Sequence, residues 1–234
     1  MTVYKRTRYT ENTIKSILKN KKNKIELLIL MDKPWTEEEE KLQNLLENWN
    51  VFDWEVKVYK QKDDWCINWL WNKIPELATN DVVFVINDDI EVSPNFDEIL
   101  ERITYNNVIN PYYFMPYQWG QCWKDKCIAW HAWAMRKEDL KRILPIDKRI
   151  KLRFWDDWIR WRAQEEGMNI EWTNQVEVFH YTSKTCENPS IVEQVREMQR
   201  IDIENFKTIL KERGWQDARF PNEEFNKTSW NSEK

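Results

Sequence analysis

Two short apolar runs limit what this chain can fold into. They are Leu27-Leu28-Ile29-Leu30-Met31 and Val82-Val83-Phe84-Val85-Ile86, and each is followed at once by acid: Asp32 after the first, Asn87-Asp88-Asp89 after the second. Runs this short, rich in β-branched and aliphatic residues and bounded by polar ones, are buried strands. Neither is long enough to cross a bilayer. Between and after them lie helical patterns. Thr10 caps a helix to about Asn20, Thr36 with Glu39 forms a capping box for a helix to about Trp49, and a further helix runs from about Asp64 to Asn72. Strand and helix alternating in this way predict an α/β domain around a mixed, mostly parallel sheet with flanking helices. Met1 to Tyr4, Ile25 to Met31 and Trp54 to Tyr59 are the other strands of the first half.

The second half is less regular. Ser93-Pro94 opens a short helix, Tyr112 to Tyr117 and Cys127 to Met135 read as strands, and Lys137 to Ile143 as a helix. Asp156 to Glu166 is helical with Gly167 as its left-handed stop, and Ile170 to Trp172 and Val176 to Phe179 are short strands. Ser190 and Glu193 form a second capping box. They open a long amphipathic helix that Gly214 closes, with Ile191, Val195, Met198, Ile201, Phe206 and Leu210 on its apolar face. The expected division is a catalytic unit over residues 1–185, a helical extension over 186–214 and a polar tail over 215–234.

Composition removes several classes. Only three glycines occur in 234 residues, so Gly-rich phosphate loops of the P-loop or Rossmann type are absent. The same scarcity argues against a nucleotidyltransferase, since Arg6 and Arg8 have no glycine beside them. The net charge of -4 shows no general footprint for nucleic acid or anionic membrane. Cys66, Cys122, Cys127 and Cys186 fit no zinc spacing and read as thiols of a reducing compartment. The expected location is the cytoplasm, with peripheral membrane association as the variant.

The acids carry the chemistry. In an α/β sheet, ligands bind beyond the carboxyl ends of the strands. Asn87-Asp88-Asp89 delivers two carboxylates and an amide to that edge, the oxygen donors that magnesium or manganese takes alongside a diphosphate. Asp32 ends its strand in the same way and is placed to accept a hydrogen bond from a base or ribose. Trp155-Asp156-Asp157-Trp158 stands at a helix start, where carboxylates are favoured by the helix dipole and where one of them can serve as a general base. His180, one of only two histidines, ends the strand that begins at Val176 and is a candidate to complete a metal site with Asp89. Sixteen tryptophans are present, eight of them between Trp119 and Trp172. Most are expected in the core, with Trp155, Trp158 or His131 bordering an acceptor.

In order and spacing these pieces resemble the inverting family-2 glycosyltransferases of the GT-A fold over roughly residues 3–182. Asn87-Asp88-Asp89 resembles the DxD signature with Asn first. Asn72-Lys73-Ile74 resembles the family's Arg-Asn-x-Gly-Ile stretch, and Trp-Asp-Asp is similar to the motif of the galactofuranosyltransferases. The resemblance implies a Mn²⁺ or Mg²⁺ ion at Asp89 and His180, with Thr7, Asp32, Asn72, Asn87 and Asp88 around a nucleotide-sugar donor, first of all a UDP-sugar. It also implies a general base in the acid pair. Asp156 and Asp157 compete for that role, and the family pattern favours the second acid. The acceptor is a hydroxyl of a glycan, a lipid-linked or a protein-linked group. The alternatives are the same chemistry on a modified DNA base, or a Trp-rich module that binds carbohydrate or nucleic acid without catalysis.

Overall fold

The protein is described by a computed structural model over residues 1–3, 8–32, 36–48, 56–61, 67–114, 131–181, 192–217 and 219–220. The strands are β1 (Thr2–Val3), β2 (Leu27–Asp32), β3 (Val56–Gln61), β4 (Val82–Ile86), β5 (Ile90–Val92), β6 (Asn107–Phe114), β7 (Ala132–Arg136) and β8 (Asn169–His180). The first three form a parallel sheet, and the others lie in the order β4-β7-β6-β8-β5. A parallel bridge between Thr2 and Asn87 joins the two groups. β7 is antiparallel to both β4 and β6, and β8 is parallel to β6 but antiparallel to β5. The sheet is therefore mixed, with its parallel character concentrated in β1–β3 and the β6–β8 pair.

Alternation along the strands divides the core into two layers. Ile29 and Met31 of β2 face α1 (Arg8–Asn20), α2 (Thr36–Asn48) and a 3₁₀ helix over Phe96–Arg102. Leu28 and Leu30 face the opposite layer, which contains α3 (Ile67–Trp71), α4 (Ile74–Leu77), α5 (Lys137–Ile143), α6 (Trp155–Glu165) and α7 (Val192–Arg213). Phe206, Ile209 and Leu210 put α7 inside that core. Ile201, expected on its apolar face, is instead 39% exposed. The first residues of the expected polar tail are also packed: Trp215 is buried, stacks on Trp161 at 5.7 Å and meets Trp158 edge-on at 5.5 Å.

Two polar devices position the segments that carry the acids. On α1, Thr10, Thr13, Ser16 and Asn20 lie on one helical face. Thr13 Oγ1 accepts from the Ile90 N–H at 3.0 Å and donates to the Ile90 carbonyl at 2.7 Å. Ser16 accepts from Val92 N–H, and Asn20 donates to the Val92 carbonyl. The helix thus supplies β5 with the ladder that an edge strand lacks. Thr10, expected as the helix cap, lies inside α1 and joins this stripe.

The second device is Asp202, fully buried on α7. Its carboxylate accepts the backbone N–H groups of Lys151, Leu152 and Arg153 at 2.9, 2.7 and 2.8 Å. Asn68 and Asn205 hold carbonyls of the same loop. The loop ends at Phe154, a non-glycine residue at φ 61°, whose ring lies parallel to that of Phe206 at 4.5 Å. A left-handed phenylalanine is unfavourable by itself, so the clamp offsets the backbone strain immediately before α6. Asp202→Ala leaves three buried N–H groups without their acceptor. It should destabilise the protein by about 3 kcal/mol in a urea titration.

Candidate active site

The carboxyl end of β4 runs straight into Asp88 and Asp89, both buried. Asp88 Oδ2 accepts from Thr10 Oγ1 at 3.1 Å, which ties the first acid to α1. Asp89 is turned to the other side by β5. The next residue, Ile90, pairs with His180 at the end of β8, and Tyr181 N–H donates to the Asp89 carbonyl at 2.9 Å. This register brings His180 Nε2 to 3.1 Å from Asp89 Oδ1, both groups shielded from solvent. Two residues ninety-one apart in sequence therefore meet, as the motif order implied.

The fit to a cation can be tested on that distance. An octahedral ion with ligands at about 2.1 Å sets neighbouring donors about 3 Å apart. A carboxylate oxygen and an imidazole nitrogen at 3.1 Å match it. Among the described residues no cluster of three or more His, Cys, Asp or Glu side chains forms a complete cation cage. Two protein ligands with the remainder from a diphosphate is the usual economy of magnesium-type sites.

His131, expected beside an acceptor, is fully buried and lies nearly parallel to the His180 ring, at 4.9 Å and 14°. Burial first, and the adjacent His180 second, hold its imidazole well below the usual histidine range, so it is a neutral packing surface for His180. Its carbonyl accepts the Asn87 N–H at 2.9 Å. Asp32 is buried at the last position of β2, level with Gln61 of β3, on the same edge of the sheet. Thr7, assigned to the nucleotide, lies outside the described residues.

Asn72 does not reach that edge. Its side chain accepts the Ile146 N–H at 2.7 Å and donates to the Ile146 carbonyl at 3.3 Å, so both ends of the amide are used to hold the loop after α5. The expectation that it binds the donor is corrected to this structural role. The two tryptophans offered for the acceptor are corrected likewise. Trp158 is 3% exposed and donates to the Ile143 carbonyl at 3.2 Å. Trp155 is buried in a stack on Trp71 at 4.8 Å and beside Trp133 at 6.3 Å. Neither leaves a ring face for a sugar.

What those tryptophans do is seat α6. Trp133 lies on β7 two residues after His131, so its contact with Trp155 ties the start of α6 to the strand that supports the histidine pair. Asp156 and Asp157 occupy the first turn of that helix, where the dipole favours negative charge. Asp157 is buried, and its Oδ1 lies 2.5 Å from Arg219 and 3.5 Å from Arg160. Asp156 is partly exposed and makes no ion pair among the described residues. Burial, and then the charge of Asp157, push its carboxyl up to about 7. Arg219 was not singled out in the sequence, because its distance in the chain from Asp157 and its place in a polar tail concealed it.

The model of glycosyl transferase family 2 matches residues 1–151, and the chain belongs to that family. No curated protein matches it. Among solved structures, the mannosyltransferase PcManGT from Pyrobaculum calidifontis, in complex with GDP-Man and Mn²⁺, is similar with a TM-score of 0.64 at 10% identity. It covers 78% of this chain and 56% of its own. GalNAc-T7 with UDP, GalNAc and Mn²⁺ has a TM-score of 0.61 at 13% identity, over 77% of this chain and 42% of its own. TarS of S. aureus has a TM-score of 0.60 at 14% identity, over 78% and 36%. The fold is GT-A-like, and the chain spans between about a third and three-fifths of the length of these proteins. Among the described residues, no helix is long and apolar enough to cross a membrane.

A raised carboxyl gives a signed pH dependence. Asp156 ionises near pH 4 in the unfolded chain and only at about 7 in the fold, so folding is penalised increasingly as pH rises between those values. Asp156→Asn removes the penalty. Its melting temperature should exceed that of the wild type by about 2–4 °C at pH 8, and the advantage should vanish near pH 4 in a calorimetric series.

Proposed function

We propose that this protein is a metal-dependent, inverting glycosyltransferase that moves a sugar from a nucleoside-diphosphate sugar to an acceptor hydroxyl. The observation that carries this reading is the convergence of Asp89 and His180 at the end of β4, at 3.1 Å. Family membership and the fold support it, as do the Mn²⁺ and nucleotide or nucleotide-sugar ligands named for PcManGT and GalNAc-T7.

Breaking the anomeric C–O bond leaves negative charge on the diphosphate. A divalent cation, Mn²⁺ or Mg²⁺, held by Asp89 and His180 would supply Lewis-acid stabilisation of that charge. The protein does the rest. Asp32 accepts from the nucleoside, and Thr7 and Asn87 border it. Asp88, held by Thr10, stands beside the ribose or sugar. The acid pair at α6 takes the proton of the acceptor hydroxyl as its oxygen attacks from the face opposite the departing diphosphate. Single displacement of this kind inverts the anomeric centre. A UDP-sugar is the first donor to test. An acceptor glycan, lipid-linked or protein-linked group is favoured over a DNA base, because the net charge is -4.

A non-catalytic Trp-rich binding module is less well supported. Trp133, Trp155 and Trp158 are core residues, and they serve to place the acids.

UDP with Mn²⁺ should raise the melting temperature, and the Asp89→Ala and His180→Ala proteins should lose the Mn²⁺-dependent part of that shift. A shift that survives both substitutions would place the cation elsewhere. Asp157→Asn should keep the UDP–Mn²⁺ shift while sugar transfer falls by about 10²–10⁴-fold, the usual worth of a general base. Near-normal transfer by that variant would remove Asp157 from the role.

A further inference from the structure

The segment after α7 returns to the acid pair. Arg219 Nη2 lies 2.5 Å from Asp157 Oδ1 and 2.7 Å from Asp217 Oδ2. Arg160, one turn along α6, reaches the same two carboxylates at 3.5 and 3.2 Å. Two guanidinium groups and two carboxylates thus alternate around a small ring. Asp217 is buried, and it also accepts the Arg219 N–H at 3.0 Å, so the arginine is oriented by its own backbone. Phe220 docks edge-on against Phe154 and Phe206 at 5.8 and 6.1 Å, which anchors the segment beside the start of α6. Trp215 is held by Trp161 and by Glu165 Oε1.

Asp156 is the neighbour that this ring omits. It adjoins Asp157 in the chain, is partly exposed, and has no ion-pair partner among the described residues. Further along the helix, Glu165 meets Arg213 at 3.7 Å and also pairs with Arg162. Trp71, Trp133 and Phe154 bring no charge.

We propose that Arg219 is a positioning residue of the acid site: together with Arg160 it engages Oδ1 of Asp157 and holds that carboxylate in one orientation, while Asp156 stays outside the ring. The assignment rests on the glycosyltransferase reading for its catalytic meaning, but not for its electrostatics. With Oδ1 engaged by Arg219 and Arg160, Asp157 presents its second oxygen as the acceptor for an incoming hydroxyl. Two bare carboxylates on successive residues oppose each other's ionisation, and the Arg219 guanidinium, in contact with Asp157 and near enough to act on Asp156, eases that opposition. The catalytic acid pair is then complete only when the segment following α7 is docked.

The test needs no substrate. Protein labelled with ¹³C at the aspartate carboxyl carbon is titrated by NMR, and the two resonances are assigned with Asp156→Asn and Asp157→Asn. In Arg219→Gln the pair should titrate about one pH unit or more higher, the usual effect of losing an opposite charge at this range. Arg219→Lys, which keeps the charge, should restore most of the wild-type curve. Resonances of Asp156 and Asp157 that titrate in Arg219→Gln as they do in the wild type would overturn the proposal.

A second arm measures UDP release from UDP-glucose, UDP-galactose and UDP-N-acetylgalactosamine with Mn²⁺. Arg219→Gln should lower kcat by about tenfold and move the pH profile upward, with the UDP–Mn²⁺ melting shift unchanged. A shifted titration with an unaltered pH profile of UDP release would overturn the positioning role. Absence of any UDP–Mn²⁺ binding or UDP release by the wild type would count against the glycosyltransferase reading, while the titration still decides the charge assignment.

Discussion

The antiparallel ladder between β5 and β8 is the constraint on which the site depends. β5 is only three residues long, yet its pairing places His180 opposite Ile90 and so sets the imidazole against Asp89. Side chains alternate with a period of two, so a slip of one residue would turn His180 to the other face. Such a short strand has little capacity to hold its own register. The polar stripe of α1 does this for it: Thr13, Ser16 and Asn20 take the backbone groups that β8 leaves on the far side. The helix α1 is thus also the component that secures the Asp89–His180 contact.

The opposite layer solves a different problem. The acids on α6 must be held against the sheet although the loop before them contains a left-handed phenylalanine. A chain of rings from Trp71 through Trp155 to Trp133 seats the helix, and Asp202 collects the three backbone amides just ahead of it. Tryptophan is abundant here because it fills wide gaps between helix and sheet while contributing one donor that the backbone can accept, as with Trp158 and the Ile143 carbonyl. An aromatic-rich sequence need not be a sugar-binding surface, and in this chain the described rings are largely structural.

Much of this was legible in the residues, and the limits have physical causes. The run Val82 to Ile86 and the helix Lys137 to Ile143 coincide with their expected bounds, because apolar period and capping signals are local. The proximity of Asp89 and His180 was anticipated from the resemblance in motif order. β5 was missed, because three residues beside an acidic turn carry no periodic signal of their own. The two short strands expected at Ile170 and Val176 form one continuous β8, because its pairing with β6 carries the strand across polar residues that read as a break. Asn72 was misread for a related reason. An amide at the right spacing looks the same in sequence whether it faces a ligand or a neighbouring loop, and here the loop after α5 claims both of its ends. Thr7 and the four cysteines lie outside the described residues.

The strand order has a temporal consequence. The ribosome releases β4 and β5 early, but β7 must come back to pair with β4, and β8 arrives ninety residues later to cover β5. Long-range pairings of this kind form slowly and leave edges open while they wait. During synthesis the α1 stripe covers only the outer edge of β5, and the edge that β8 will take stays open until it arrives. The Asp89–His180 contact can therefore form only once β8 has emerged, and the Asp157–Arg219 contact only once α7 has been made, so both are products of the last stage of folding.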